Sequence, residues 1–221
     1  MRVGAGDAGR VDRKPGELVA TDTVVALVAR PRFVSRGGEK LDAALTAFAI
    51  DVTGRVCLDV GASTGGFTDV LLRRGAARVY ALDVGRGQLA EVLRRDPRVV
   101  SIERTHAARL APGAPDHVAL PQQVSLAVID VSFISLTRVM AGVKAALTGE
   151  GEIVALVKPQ FEAAPADVPR GVVRDAAVQR AAVERVVAHA ATLGLKIDRE
   201  IESPLLGPKG NREFLIHLVS A

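Results

Sequence analysis

Small residues directly after an apolar segment form the sequence feature that most clearly indicates a ligand site. RVCLDV (55–60) has the composition of a buried strand, and a glycine follows it at once. A backbone with so few side chains lets a ligand approach closely, at the edge of the sheet where α/β folds bind their ligands. The run before the next helical pattern consists of Gly61, Ala62, Ser63, Thr64, Gly65 and Gly66.

Two acids near this run limit what the ligand could be. Asp59 precedes Gly61, and Asp83 lies at the end of the next apolar segment, RVYALDV (78–84). A carboxylate at Asp83 could accept hydrogen bonds from both hydroxyls of a ribose. The G-x-x-x-G-G spacing differs from the G-x-G-x-x-G of dinucleotide folds, and an acid at Asp59 would repel a pyrophosphate. The same acid suits the cationic amino acid end of S-adenosylmethionine. We therefore expect that cofactor, with a glycine turn that binds nothing as the alternative.

Four charged residues stand at the ends of predicted elements. Lys40 opens the first helical pattern, after SRGGE, and Asp130 ends the apolar segment VSLAVID. Lys158 ends EIVALV, and Glu213 precedes the last apolar segment, after GPKGNR. Asp130 and Lys158 both lie at carboxyl ends of strands, so both should face the ligand edge of the sheet. Each residue alone could be a solvated strand end or half of a salt bridge, but together with the glycine run they favour a catalytic site.

Such a set suits the transfer of a methyl group to a hydroxyl. A ribose 2′-hydroxyl is a poor nucleophile because it holds its proton tightly, and a lysine beside it can take up or stabilise that proton. The cofactor sulfonium and a second lysine would lower the pKa of the first lysine, so that its free amine is available to take up the proton, and two carboxylates would orient the lysines. The transfer is an in-line displacement at the methyl carbon, so alignment of the reactants carries much of the catalysis.

The segments that would position these residues alternate between helix and strand patterns. This alternation predicts an α/β fold with a doubly wound, Rossmann-like methyltransferase sheet, mostly parallel with an antiparallel strand near the C-terminus. The predicted strands are 55–60, 78–84, 99–103, 124–130, 152–157, 195–203 and 213–219, and the predicted helices are 39–49, 66–74, 88–95, 138–147 and 175–193.

Composition excludes several other classes of protein. Of the 221 residues, 48% are hydrophobic and only 3% aromatic, so we expect a continuous core of Val, Leu, Ile and Ala. The single cysteine, Cys57, cannot form an internal disulfide, and no Cys/His cluster indicates a metal site. The longest apolar stretch is broken by Asp130 and is shorter than the roughly 20 residues that cross a bilayer, and the first residues lack the apolar part of a signal peptide. We expect a cytoplasmic protein.

The charge distribution is compatible with a nucleic-acid partner. The formal net charge is +4, and the first forty residues hold eight Lys/Arg against five acids, which gives +3 of that total. A mildly basic surface of this kind suits RNA without requiring it.

Several motifs taken together resemble one known family. The segments VSRGGEKL, CLDVGASTGGFTDVLLRRGAARVYALDVGRGQL, IDVSFISL, LVKPQFE, GVVRD and SPLLGPKGNREFL are similar to those of the TlyA (haemolysin A) family and, more distantly, of the FtsJ/RrmJ 2′-O-methyltransferases. The resemblance extends from about residue 31 to 221 and implies an FtsJ-like methyltransferase domain there. It also implies a cytidine ribose in ribosomal RNA as the substrate, with ribosomal RNA or ribosomal subunits as the partner.

The resemblance also implies roles for individual residues. The family's Lys-Asp-Lys-Glu tetrad maps onto Lys40, Asp130, Lys158 and Glu213, with Lys158 as the proton acceptor or alkoxide stabiliser and Lys40 as an assisting cation. The residues implied to bind S-adenosylmethionine are Asp59, Gly61, Ala62, Ser63, Thr64, Gly65, Gly66, Phe67, Asp83, Val84, His106 and Asp130.

The chain departs from the family pattern in two places. Family members usually begin with a complete S4 RNA-binding domain, whereas residues 1–30 look like only the tail of such a domain, or an arm. His106 stands where the family often has Asn, near the adenine in such folds. A contact between His106 and the cofactor is one interpretation, and a loop histidine without a ligand is the other.

Three alternative functions follow from the same residues. One is methyl transfer to a small molecule or a protein, which the pair of lysines argues against. Another is a haemolysin, for which the sequence shows neither a membrane helix nor amphipathic hairpins. The third is an RNA-binding protein with a methyltransferase fold and no activity, against which the complete tetrad and glycine run both speak.

Overall fold

The computed structural model describes residues 2–3, 25–26 and 31–221. The chain divides into two units, Met1–Arg32 and Phe33–Ala221. Most of residues 1–30, and with them the S4-like interpretation, lie outside the described residues.

The first unit contains one short antiparallel pair of strands. Strand β1 (Arg2–Val3) pairs with β2 (Val25–Ala26).

The second unit is built on a seven-stranded sheet in the order β5-β4-β3-β6-β7-β9-β8. Strands β3 to β7 run parallel, and β9 is antiparallel to both β7 and β8. The order reverses direction between β3 and β6, which is where such sheets bind ligands beyond their carboxyl ends. The strands are β3 (Val56–Val60), β4 (Arg78–Leu82), β5 (Val99–Ile102), β6 (Val124–Ile129), β7 (Leu147–Val157), β8 (Leu195–Glu202) and β9 (Phe214–Ser220).

Helices cover both faces of this sheet. Successive residues of a strand point to opposite faces, so Leu58 of β3 joins the apolar cluster formed with α4 and α6, whereas Cys57 joins the cluster formed with α1 and α2. Both residues are fully buried. The helices are α1 (Gly37–Ala47), α2 (Gly66–Arg73), α3 (Glu91–Arg94), α4 (Met140–Ala146), α5 (Pro159–Glu162) and α6 (Ala176–Thr192).

The predicted fold class is confirmed, with corrections to the bounds of two helices and one strand. Strand β7 begins at Leu147, whereas its start was predicted at residue 152. The helix predicted over 88–95 is reduced to α3, because the backbone N–H of Ala90 donates to the Thr64 carbonyl and Ala90 is extended, which holds the chain against the glycine run. Helix α1 begins at Gly37, so Lys40 lies in its first turn instead of opening it.

None of the helices within residues 31–221 is long and apolar enough to cross a lipid bilayer.

Candidate active site

Two adjoining cavities lie beyond the carboxyl ends of β3, β4 and β6. The first, of about 300 Å³, contains all four residues of the predicted tetrad, and the second, of about 370 Å³, contains Asp83 and His106. Gly61, Ser63 and Asp130 line both cavities, so the glycine run and the end of β6 form their common boundary.

The glycine run passes where side chains would collide with the rest of the domain. Gly61 has φ +84°, and a Cβ there would lie 2.5 Å from the Asp130 carbonyl oxygen. Gly65 has φ +97° and packs against Leu93, and a Cβ on Gly66 would overlap the Ser35 hydroxyl. Only glycine satisfies both the positive φ and the close approach at Gly61 and Gly65. Gly65 is accordingly a turn residue that lines neither cavity, whereas Ala62, Thr64, Gly66 and Phe67 line the first.

Asp83 lies in the second cavity at the end of β4. Its Oδ2 accepts a hydrogen bond from the backbone N–H of Ser63 at 2.8 Å, and its Oδ1 accepts one from Gly85 at 2.7 Å. Each carboxylate oxygen can accept a further bond. The backbone therefore fixes Asp83 in a position from which it can still bind the two hydroxyls of a ribose.

His106 and two valines also line the second cavity. Val84, 65% exposed, and Val139 provide apolar surface. The Nδ1 atom of His106 accepts a hydrogen bond from the backbone N–H of Ala108 at 3.1 Å, so in a neutral imidazole the proton is on Nε2. A planar, largely apolar ring such as adenine fits a cavity with these walls.

Asp59 lies behind the glycine run, away from the lining of either cavity. It is fully buried, and its Oδ2 accepts a hydrogen bond from the Thr68 hydroxyl at 2.6 Å, while Oδ1 has no hydrogen-bond partner among residues 31–221. Burial raises the pKa of Asp59 to about 7, with Asp130 and Asp83 adding to the effect and Thr68 opposing it. Asp59 therefore holds Thr68 of α2, the helix that follows the glycine run, and does not line the cleft.

Two ion pairs dominate the first cavity. Lys40 of α1 pairs with Glu213, which precedes β9, and Lys158 pairs with Asp130 at 2.6 Å. The Lys158 ammonium also donates to the Ser132 hydroxyl at 2.9 Å. Both lysines are 8% exposed. The tetrad that the sequence separates by up to 173 positions is thus brought together in one cavity.

A loop residue that the sequence did not single out shapes the Glu213 end of this cavity. A Cβ on Gly207 would overlap the Glu213 carboxylate, and Glu213 Oε1 is buried with no hydrogen-bond partner among the described side chains and backbone. Leu205, Leu206 and Pro208 line the cavity beside it. The motif SPLLGPKG carried the signal, because a glycine between apolar residues and a proline indicates a tight approach.

A third cavity of about 250 Å³ adjoins the other two. It shares Lys158 with the first and Ser132 and Phe133 with the second. Phe133 is 91% exposed, and its ring packs against that of Phe161 with centroids 5.3 Å apart. Sequence reasoning missed this aromatic pair, for which the two phenylalanines in the motifs IDVSFISL and LVKPQFE were the available signal.

These cavities fit S-adenosylmethionine in shape and in donor set. The second cavity offers a carboxylate for ribose hydroxyls and apolar walls for a base, and it joins the glycine run that leads to the lysines. The groups expected to contact the cofactor are therefore placed together, apart from Asp59 and Gly65, which line neither cavity.

Comparisons with known proteins point the same way. The family model described as FtsJ-like methyltransferase matches residues 33–220. The 16S/23S rRNA (cytidine-2′-O)-methyltransferase TlyA of Mycobacterium tuberculosis is 47% identical, over 98% of this chain and 81% of that protein. Hemolysin A of Brachyspira hyodysenteriae is 40% identical, over 95% of this chain and 86% of that protein.

A solved structure agrees as well. A Streptococcus thermophilus protein provisionally named a hemolysin superposes with a TM-score of 0.83 at 41% identity, over 100% of this chain and 79% of that one. The resemblance inferred from the motifs is confirmed. With a family model matched over nearly the whole second unit and relatives above 40% identity, the chain belongs to the FtsJ-like methyltransferase family.

Proposed function

We propose that this protein transfers a methyl group from S-adenosylmethionine to the ribose 2′-hydroxyl of a cytidine in ribosomal RNA. The observation that carries the proposal is the pairing of Lys158 with Asp130 and of Lys40 with Glu213 in one cavity beside the glycine run. A relative whose name specifies cytidine 2′-O-methylation of 16S and 23S rRNA supports the choice of substrate.

The cofactor would occupy the second cavity and extend toward the first. Asp83 would accept hydrogen bonds from the ribose hydroxyls, and Val84 and His106 would contact the adenine. The backbone of the glycine run, from Gly61 to Gly66, would pass along the amino acid end. When bound there, S-adenosylmethionine supplies an electrophilic methyl group.

Lys158 is positioned to accept the proton of the acceptor hydroxyl or to stabilise the resulting alkoxide. Asp130 and Ser132 hold its ammonium where the first cavity adjoins the third, through which the acceptor would enter. The proton of the hydroxyl passes to the Lys158 amine when that amine is free, or the ammonium stabilises the developing alkoxide. Lys40, held by Glu213, adds positive charge on the opposite wall and thereby favours the deprotonated hydroxyl.

The acceptor nucleotide would enter through the third cavity. Enzymes that modify a nucleotide within folded RNA take it out of the stack and hold its base against aromatic side chains. Phe133 is exposed and braced by Phe161, beside Lys158, and so offers a stacking surface at the correct place. Ribosomal RNA as the substrate would also place the protein in the cytoplasm.

The test is methyl transfer from labelled S-adenosylmethionine to naked ribosomal RNA and to isolated ribosomal subunits, followed by nuclease digestion. We expect label in a 2′-O-methylated cytidine. A base-methylated nucleoside would contradict the proposed acceptor atom, and label in protein or in small molecules alone would contradict the substrate class. Tight binding of S-adenosylhomocysteine without any transfer to either RNA would contradict ribosomal RNA as the substrate. Binding of RNA without binding of S-adenosylmethionine would favour an RNA-binding protein without activity.

A further inference from the structure

Glu162 is a buried acid to which the mechanism above gives no role. It ends α5, four residues after Lys158, and only 2% of it is exposed. Both carboxylate oxygens accept hydrogen bonds, Oε2 from the Ser135 hydroxyl at 2.6 Å and Oε1 from the backbone N–H of Leu136 at 2.7 Å. Burial raises the pKa of Glu162, and these two bonds act against that effect. Because a buried carboxylate is costly without such partners, the acid and the segment that it holds depend on each other.

The segment held by Glu162 is the loop that follows Asp130. Phe133, in its middle, has φ +64°, a conformation that a bulky side chain adopts only where its surroundings enforce it. On one side of Phe133, Ser132 accepts a hydrogen bond from Lys158. On the other side, Ser135 and Leu136 are held by Glu162. The loop is therefore fixed at both ends by residues of the segment 158–162.

The same loop forms a wall of the second and the third cavity, which are the proposed sites of the cofactor and of the acceptor nucleotide. Residues 131–134 line the cavity that contains Asp83, and Ser132 and Phe133 also line the third cavity. The anchor is itself tied to the core, because Arg185 of α6 donates to the Glu162 carbonyl oxygen at 2.8 Å. A shift of this loop would change the shape of both cavities at once.

We infer that Glu162 is a positioning residue for methyl transfer, whose carboxylate holds the loop 131–136 so that the two cavities stay aligned about Lys158. What the cavities hold rests on the proposed function. The anchor itself does not, because it is defined by contacts that exist without any ligand.

Three variants test the inference. Glu162→Ala leaves the buried Leu136 N–H without an acceptor and frees Ser135. In Glu162→Gln, the amide oxygen can accept from Leu136 while the NH₂ group donates to the Ser135 hydroxyl, so the loop keeps its anchor. Glu152→Ala is the matched control, because it removes a half-buried acid from the opposite edge of the sheet, where Glu152 contacts Arg55 and His217.

Two quantities are measured well below each variant's Tm. They are the Kd of S-adenosylhomocysteine by calorimetry, and the single-turnover rate of transfer at saturating cofactor and RNA. For Glu162→Ala we expect weaker binding and a rate lower by about tenfold or more, since small misplacements of reacting groups have effects of that order. Glu162→Gln should recover both quantities to within a few-fold, and Glu152→Ala should change only Tm.

Two outcomes would contradict the inference. If Glu162→Ala behaves like Glu152→Ala, with a lower Tm and unchanged Kd and rate, then Glu162 is structural only. If Glu162→Gln is as impaired as Glu162→Ala, the negative charge matters and the hydrogen-bonded anchor does not. Should the wild-type protein bind S-adenosylhomocysteine yet methylate no ribosomal RNA, the proposed substrate fails, while the Kd series still decides the role of Glu162.

Discussion

Gly207 shows how a single missing side chain shapes the catalytic cavity. Its φ of −72° is open to any residue, so its requirement is steric: a Cβ would overlap the Glu213 carboxylate, which in turn holds Lys40. We expect Gly207→Ala to displace Glu213 and to lower the transfer rate by about tenfold or more. The Kd of S-adenosylhomocysteine should change much less, since Gly207 does not line the cavity of Asp83.

The control for this substitution is Gly149→Ala. Gly149 is exposed, and nothing lies within 4 Å of a Cβ placed there. Equal transfer rates in the two variants would mean that the position of Glu213 does not govern catalysis.

Asp59 predicts a pH dependence of stability that can be measured without cofactor. Its pKa of about 7 in the folded protein exceeds the unfolded value of about 4, so folding favours the protonated form. The contribution of Asp59 to the free energy of unfolding is therefore largest at acid pH and declines as the pH rises to about 7. In Asp59→Asn, which cannot ionise, this decline should be absent.

The measurement is the free energy of unfolding of both proteins at a series of pH values. The difference between Asp59→Asn and wild type should increase from acid to neutral pH and then stay level. A difference that is independent of pH would show that burial does not raise the pKa of Asp59.

Among the elements, β7 and β9 join the antiparallel part of the sheet to its parallel part. Glu152 of β7 contacts Arg55, which precedes β3, and His217 of β9. Burial acts to raise the pKa of Glu152, but the hydrogen bonds from His217 and Arg55 hold it below its usual value. A carboxyl group with a lowered pKa in the folded protein adds to the free energy of unfolding at pH values above its unfolded pKa. That contribution is lost as the pH falls through the pKa of the folded state.

Glu152→Gln should therefore lower stability at neutral pH and reduce the loss of stability in acid. Urea denaturation of both proteins at pH 7 and at a pH below about 4, the ordinary pKa of a glutamate, would measure these changes in stability. A variant with the wild-type acid dependence would place the acid sensitivity elsewhere in the chain.

Periodicity predicted the strands and most helices because buried strands are apolar throughout and helices repeat their apolar positions. It overestimated α3, since Leu89 is apolar yet packs against Gly65, and Ala90 donates its backbone N–H to the Thr64 carbonyl and has a non-helical ψ. Such patterns do not predict contacts between segments that are far apart in the sequence. The tetrad was found because its members were predicted at element ends beside the ligand edge, whereas Glu162 acts through its contact with Leu136, which no pattern in the sequence predicts.

At the scale of the whole molecule, the cleft is assembled from both ends of the second unit. Lys40 lies near its beginning and Glu213 near its end, yet they form one ion pair across the mouth of the first cavity. The central strands β3 and β6 supply the glycine run and Asp130 between them. The tetrad therefore forms only when α1, β6, β7 and β9 take their places in the fold, whereas the second cavity is lined by residues 60–139 alone.

The most direct measurement of the central claim compares wild type with Lys158→Ala in single-turnover methyl transfer to ribosomal RNA, alongside the Kd of S-adenosylhomocysteine. Lys196→Ala, an exposed lysine on β8, is the control. If Lys158 accepts the proton of the 2′-hydroxyl or stabilises the alkoxide, its loss should lower the rate by about a hundredfold or more. The Kd should stay within a few-fold of wild type, and the control variant should keep the wild-type rate and Kd. A Lys158→Ala enzyme that forms 2′-O-methylcytidine at the wild-type rate would contradict the mechanism.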